Sequence, residues 1–195
     1  MKKHFPQIDC QAINEDIIDL LEQNEMYLEK YDMSILALGD KSVERRINYL
    51  AKKGIIKSPL IFIWMEPFGV AGHLFYLYPA NEGCLQCCFD AEGNFIHSVA
   101  KYNKDFFKRE TGCQSTYIPY SNLEIDSFIN SVSREILFCL EKKLKQSYLM
   151  TWLGDLTFFK SLGYQINDIW AADLNYTIHR KEIKKSNYCE LCKVK

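Results

Sequence analysis

Eight cysteines carry most of the chemistry this chain could do. Four of them fall in two Cys-x-x-Cys pairs, Cys84 with Cys87 and Cys189 with Cys192. A tight turn lets the two thiolates of such a pair point the same way, and four thiolates complete the closed tetrahedral shell of a structural zinc site. About a hundred residues separate the pairs, far more than in a zinc ribbon, so the fold itself has to bring them together. The competing reading is two pairs of buried or redox-active cysteines. A four-cysteine zinc site is shut, and its role here would be to pin the C-terminal tail to the body rather than to catalyse. Cys88 is then a bystander or an alternative ligand.

Cys113 stands alone, in Glu-Thr-Gly-Cys-Gln-Ser-Thr, shortly before a long helix. A thiol near a helix N-terminus can have its pKa lowered and become a nucleophile. An ordinary free cysteine is the plainer alternative. Cys10 and Cys139 sit in apolar surroundings and read as core. The four histidines, His4, His73, His97 and His179, have no mutual spacing that suggests a triad or a metal site, and His73 reads as a satisfied structural histidine. No GxSxG, HExxH, P-loop or GxGxxG pattern occurs. The stretch Met65 to Gly72, with Glu66 and two glycines, marks a sharp bend.

The elements that must position these residues follow from periodicity. Asn14 caps a first helix, whose buried stripe runs from Ile17 through Leu28. Met33 to Leu38 is a short apolar run that reads as a strand buried on both faces, the habit of parallel sheets. A helix over Ser42 to Lys53 ends at Gly54, and Leu60 to Met65 is a second buried strand. Strand, helix and strand in that order form a right-handed βαβ unit. His73 to Tyr78 is a third strand. Residues 80–120 have no sustained period and read as a metal knuckle followed by a long irregular crossing. Leu123 to Leu144 is the clearest helix, with Ile125, Phe128, Ile129, Val132, Ile136, Leu137 and Leu140 on one side. After Tyr148 come short strand-like pieces, of which Leu174 to Ile183 leads straight to the last cysteine pair.

The chain has 195 residues, of which 48% are apolar, enough for one domain over 1–195 with a real core. Its 24 Lys+Arg against 25 Asp+Glu, a net charge of −1, argue against a dedicated nucleic-acid binder. No apolar run is long enough to span a bilayer, and MKKHFPQIDC lacks the apolar segment of a signal peptide. The expected compartment is cytoplasmic, where paired cysteines bind metal or do chemistry.

The order of these features resembles the C-terminal half of the ThiF/MoeB/HesA group, the ubiquitin-activating (E1-like) adenylyltransferases. The features are a strand ending in Asp40 (LALGD), a helix with Arg45 and Asn48, and a strand entering EPFGVAGH. A CxxC, a cysteine in a crossing loop, a long helix and a terminal CxxC follow. WMEPFGVAGH and GCLQC resemble most the activating domains of bacterial antiphage conjugation systems. The resemblance implies an α/β fold: a partial Rossmann-like, ThiF-type sheet with flanking helices, a long crossing loop and a zinc-pinned C-terminal tail. It also implies adenylation of a ubiquitin-like protein's C-terminus with Mg-ATP, then thioester capture. Asp40 matches the acid that helps hold Mg-ATP, and Cys113 matches the thioester cysteine. Cys84, Cys87, Cys189 and Cys192 match the zinc site.

The family's first half has no counterpart here: there is no glycine-rich turn, no ribose acid and no phosphate-gripping lysine, and Gly39-Asp40-Lys41 stands where the family has Thr-Asp-Asn. The chain by itself is therefore expected not to bind ATP in the family's way. It is expected either to complement a nucleotide-binding half or to serve as a non-catalytic scaffold. The implied partners are a ubiquitin-like or sulfur-carrier protein, a conjugating enzyme or complementing half, and a homo- or heterodimer mate, with no nucleic acid and no membrane.

Overall fold

The computed structural model describes residues 6–109 and 116–193. Its frame is a five-stranded mixed sheet flanked by helices. Strand β1 (Ser34–Leu36) pairs in parallel with β2 (Leu60–Met65), and helix α2 (Lys41–Lys52) crosses between them. That is the expected βαβ unit. The sheet then turns antiparallel: β3 (Ala71–Leu77) returns beside β2, β6 (Tyr148–Leu153) pairs with β3, and β7 (Ile178–Glu182) pairs with β6. Parallel pairing is thus confined to one edge. The bend at Glu66–Val70 is short, and a short connection joins antiparallel neighbours but cannot make a parallel crossover.

The cap of helix α1 (Ile17–Gln23) lies two residues later than expected: Asp16 is the residue whose side chain accepts from Ile18 N. Helix α2 is capped by Asp40, whose Oδ1 accepts from Ser42 N at 2.8 Å and Val43 N at 3.2 Å. The irregular crossing carries a two-residue pair, β4 (Lys108–Arg109) with β5 (Thr116–Tyr117), and leads into helix α3 (Asn122–Lys142). A short helix α4 (Leu156–Ser161) follows β6, and α5 (Glu190–Lys193) ends the described chain. No helix among the described residues is long and apolar enough to cross a membrane.

The two sheet faces are covered differently. On one face Leu36, Phe62, Phe75 and Leu149 line up across four strands and pack beneath α1, α2 and the cysteine knuckles. On the other face Ile61, Leu74, Tyr76, Met150 and Trp152 pack beneath α3 through Phe128, Val132 and Cys139. Gly72 makes that second contact possible: a Cβ there would lie 2.5 Å from the Phe128 ring. A third cluster, around Val70, Val99, Phe106 and Phe159, closes the end of the sheet under the crossing.

Two expectations about burial change. Met33 to Leu38 contributes only a three-residue edge strand, with Ile35 and Leu38 half exposed rather than covered on both faces. On α3 the buried positions are Phe128, Val132, Glu135 and Cys139, while Ile129, Leu137 and Leu140 remain largely in solvent. The apolar arc of this helix is wider than the one sheet face beneath it can cover.

Candidate metal centre

The two cysteine pairs converge. Gly83, with φ +81°, turns the chain out of β3's loop into the first knuckle, where Cys87 N donates to Cys84 O at 2.9 Å. A Cβ on Gly83 would lie 2.2 Å from the backbone oxygen of Ile183, so only glycine allows this approach. Ile183 is the residue just past β7, and its N donates to Ser147 O at 3.2 Å. Pairing of β7 with β6 therefore carries the tail directly onto the first knuckle. A second tight turn follows, in which Cys189 N donates to Ser186 O at 3.1 Å and Cys192 N to Cys189 O at 3.3 Å. From below, Asn48 of α2 holds the first knuckle in place, its Oδ1 accepting from Leu85 N at 3.0 Å.

Across a sequence separation of 105 residues, Cys84 Sγ lies 3.5 Å from Cys189 Sγ and Cys87 Sγ lies 3.6 Å from Cys192 Sγ. Cys84 and Cys87 are 3.9 Å apart, and all four sulfurs lie within 4.8 Å of one another. These separations are far beyond the ~2.05 Å of a disulfide. They suit a tetrahedron instead: sulfurs about 2.3 Å from one centre are about 3.8 Å from each other. The four side chains can hold a metal ion, and an all-thiolate tetrahedral set is compatible with structural zinc. Crowding of the thiols also separates their acidities. Hydrogen bonds with Cys189, Cys192 and Cys84 lower Cys87, those with Cys189, Cys192 and Cys87 raise Cys84, and Cys189 is lowered to about 7 by Cys192 and Cys84. A bound cation would hold all four as thiolates. Cys88 is wholly buried beside them but outside the four-sulfur cluster, and burial pushes its thiol up.

The remaining expected residues are more dispersed. Asp40 lies at the carboxyl end of β1 as the cap of α2. Cys113 lies outside the described residues, between β4 and β5. Cys139 is buried as read, its Sγ 3.0 Å from Tyr148 Oη, and Cys10 is half-buried.

His73 is a structural histidine in a network that sequence reasoning did not foresee. Its Nε2 is 2.7 Å from Glu66 Oε1 and its Nδ1 is 3.1 Å from Thr151 Oγ1. Glu66, almost fully buried, also accepts from Val99 N and Ala100 N at 2.7 Å and from Ser98 Oγ at 3.0 Å, fastening the start of the crossing to the sheet. The acid in the bend was the visible signal, but Ser98, Val99 and Ala100, which it ties to the sheet, lie 32 to 34 residues away. Nearby His97 is driven down to about 4 by burial, with Lys181 and His73 adding to the effect. A cleft of about 320 Å³ opens at the carboxyl end of β2, lined by Met65, Pro67, Tyr102, Phe106, Phe107 and Tyr120 among others.

No family model matches the chain, and no curated protein or solved structure matches it.

Proposed function

We propose that the chain is one part of an enzyme that activates the C-terminus of a ubiquitin-like or sulfur-carrier protein, with the nucleotide-binding half on a complementing polypeptide. The observation that carries this reading is the cleft at the carboxyl end of β2. It lies at the same end of the parallel β1–β2 pair as Asp40, and the crossing that contains Cys113 contributes to its wall. In open α/β sheets ligands bind outside the carboxyl ends of the parallel strands. An apolar, aromatic cleft with Lys104 and Asp105 among its lining residues suits an extended peptide tail.

In the proposed reaction the carrier carboxylate attacks the α-phosphorus of ATP, forming the acyl adenylate and releasing pyrophosphate. The Cys113 thiolate then attacks the acyl carbon and expels AMP, leaving a thioester. Asp40 helps hold Mg-ATP, which the complementing half binds. The metal at the four cysteines is zinc in this reading, held by four protein thiolates with no position left for substrate, so no step passes through it. The outer edge of β1 has no further strand among the described residues, which leaves an edge for the complementing half to extend.

ATP–pyrophosphate exchange with a candidate carrier, measured with and without a complementing nucleotide-binding chain, tests the reading. Exchange is expected only with all three present, together with a reducible carrier adduct that Cys113→Ala abolishes. No exchange in the full mixture, or an adduct that survives in the variant, contradicts it. One observation favours a second reading, a non-catalytic scaffold for a ubiquitin-like or conjugating partner: Asp40 Oδ1 is already engaged by two backbone amides of α2. Carrier binding that is identical with and without ATP and the complementing chain would select the scaffold.

A further inference from the structure

The two cysteine pairs are held to very different degrees. The first is gripped by α2, where Asn48 and Lys52 lie four residues apart on one face of the helix. Asn48, wholly buried, accepts from Leu85 N at 3.0 Å, and Lys52 Nζ donates to Pro79 O at 3.3 Å and to Asn81 O at 2.6 Å. Asn81 Nδ2 in turn donates to Lys145 O at 3.0 Å, which anchors the same segment to the chain just before β6. Gly83, Cys84, Leu85, Cys87 and Cys88 are all buried. The second pair has little of this support. Between residues 184 and 193 only Cys189 is buried, and Cys192 is the half-buried one of the four. The backbone bonds of that turn stay inside it: Cys189 N donates to Ser186 O, and Cys192 N and Lys193 N donate to Cys189 O. Beyond the sulfurs, the segment is tied to the body by Ser186 N, which donates to Cys87 Sγ, and by Leu191, which packs partly on the core.

We propose that the pairs play unequal parts in metal uptake: Asn48 and Lys52 are positioning residues that hold Cys84 and Cys87 ready, a metal ion loads there first, and Cys189 and Cys192 close over it as the tail docks. The inference rests on the four cysteines holding a metal ion and is independent of the activation chemistry. Two thiolates leave positions on the ion to water, and the second pair displaces that water and completes the tetrahedron. Each thiol releases its proton to solvent as its sulfur binds. The ordering entropy of the tail is offset by these last two bonds, whereas the first pair is ordered by hydrogen bonds to α2 that need no metal. Metal loss runs the same steps backwards. A chelator reaches Cys192 first, and the chain beyond Ile183 undocks while β7 stays paired with β6.

Hydrogen exchange on the full chain, reduced and metal-free or loaded with zinc, tests the proposal. Zinc is expected to slow exchange at the amides of Cys189, Cys192 and Lys193 at least about tenfold, while those of Leu85, Cys87 and Phe89 change less than about threefold. Equal gains at both pairs overturn it. Lys52→Met, a change at a half-buried position, is expected to weaken zinc binding about tenfold in competition with a chromogenic chelator. Lys53→Met, which removes the same charge at an exposed neighbour, is expected to leave it unchanged. Affinity that Lys52→Met leaves intact, or that both variants weaken alike, overturns the positioning role. Cys189→Ser with Cys192→Ser is expected still to take one zinc weakly, with two sulfurs seen by X-ray absorption. Cys84→Ser with Cys87→Ser is expected to take none at the same concentration, and zinc held equally by either pair contradicts the order of loading. A wild-type chain that takes up no zinc overturns the metal site itself, whereas uptake by a chain whose tail is already protected overturns the order of assembly alone.

Discussion

The two faces of the sheet solve the same problem in different ways. The knuckle face is closed by this chain alone: two helices, two turns and four thiols cover the row from Leu36 to Leu149. The long-helix face has a single helix for a sheet of five strands, and that helix keeps part of its apolar arc in solvent. On the first face the chain has spent cysteines where a longer chain would spend another layer of side chains. A metal ion can do this because its bonds to four thiolates supply folding free energy that burial there does not. On the second face nothing comparable exists among the described residues, and the uncovered surface is available to another molecule.

The comparison breaks most severely if the thiols go. Replacing Cys189 and Cys192 with serine, or stripping metal with a chelator, removes the tie between β7's tail and the first knuckle. Loss of about 4–6 kcal/mol is expected, read as a fall in Tm of roughly 10–20 °C by calorimetry. Next comes the polar tie on the same face. Glu66→Ala leaves His73 and the amides of Val99 and Ala100 buried without their acceptor, at an expected cost of about 3–5 kcal/mol in urea titration. His97 adds a pH dependence. Its folded pKa of about 4 lies below the ordinary histidine value of 6.5, so the unfolded chain binds a proton that the folded chain refuses. Stability therefore falls as pH drops from about 6.5 towards 4, by up to about 3 kcal/mol, and His97→Asn flattens that slope. On the long-helix face the close packing of Gly72 under Phe128 predicts that Gly72→Ala costs about 1–3 kcal/mol by overpacking. The smallest effect sharpens the contrast: Leu137→Gln, on the exposed side of α3, changes stability by no more than about 0.5 kcal/mol.

Local patterns were legible where the chemistry is local. The Cys-x-x-Cys pairs, the βαβ unit and the span of α3 all follow from spacing and period. What periodicity could not supply were partners distant in sequence. Glu135 breaks the apolar row of α3, yet it is buried because Arg180 in β7 and the Tyr148 hydroxyl in β6 reach it. Tyr148 to Leu153 is the fully buried strand between β3 and β7, though as a six-residue run it reads only as one strand-like piece among several. The breadth of α3's apolar arc was visible as well. How much of it the sheet covers depends on which strands lie beneath, a matter of topology rather than sequence period.

The most direct test of the account concerns the four-cysteine cluster on the knuckle face, which could hold a metal ion. X-ray absorption at the metal edge, on protein isolated with its bound ion, is expected to show one zinc per chain surrounded by four sulfurs at about 2.3 Å. Fewer than four sulfurs, nitrogen or oxygen in their place, or thiols that all titrate freely in protein containing no stoichiometric metal would contradict the claim that two cysteine pairs 105 residues apart share one ion.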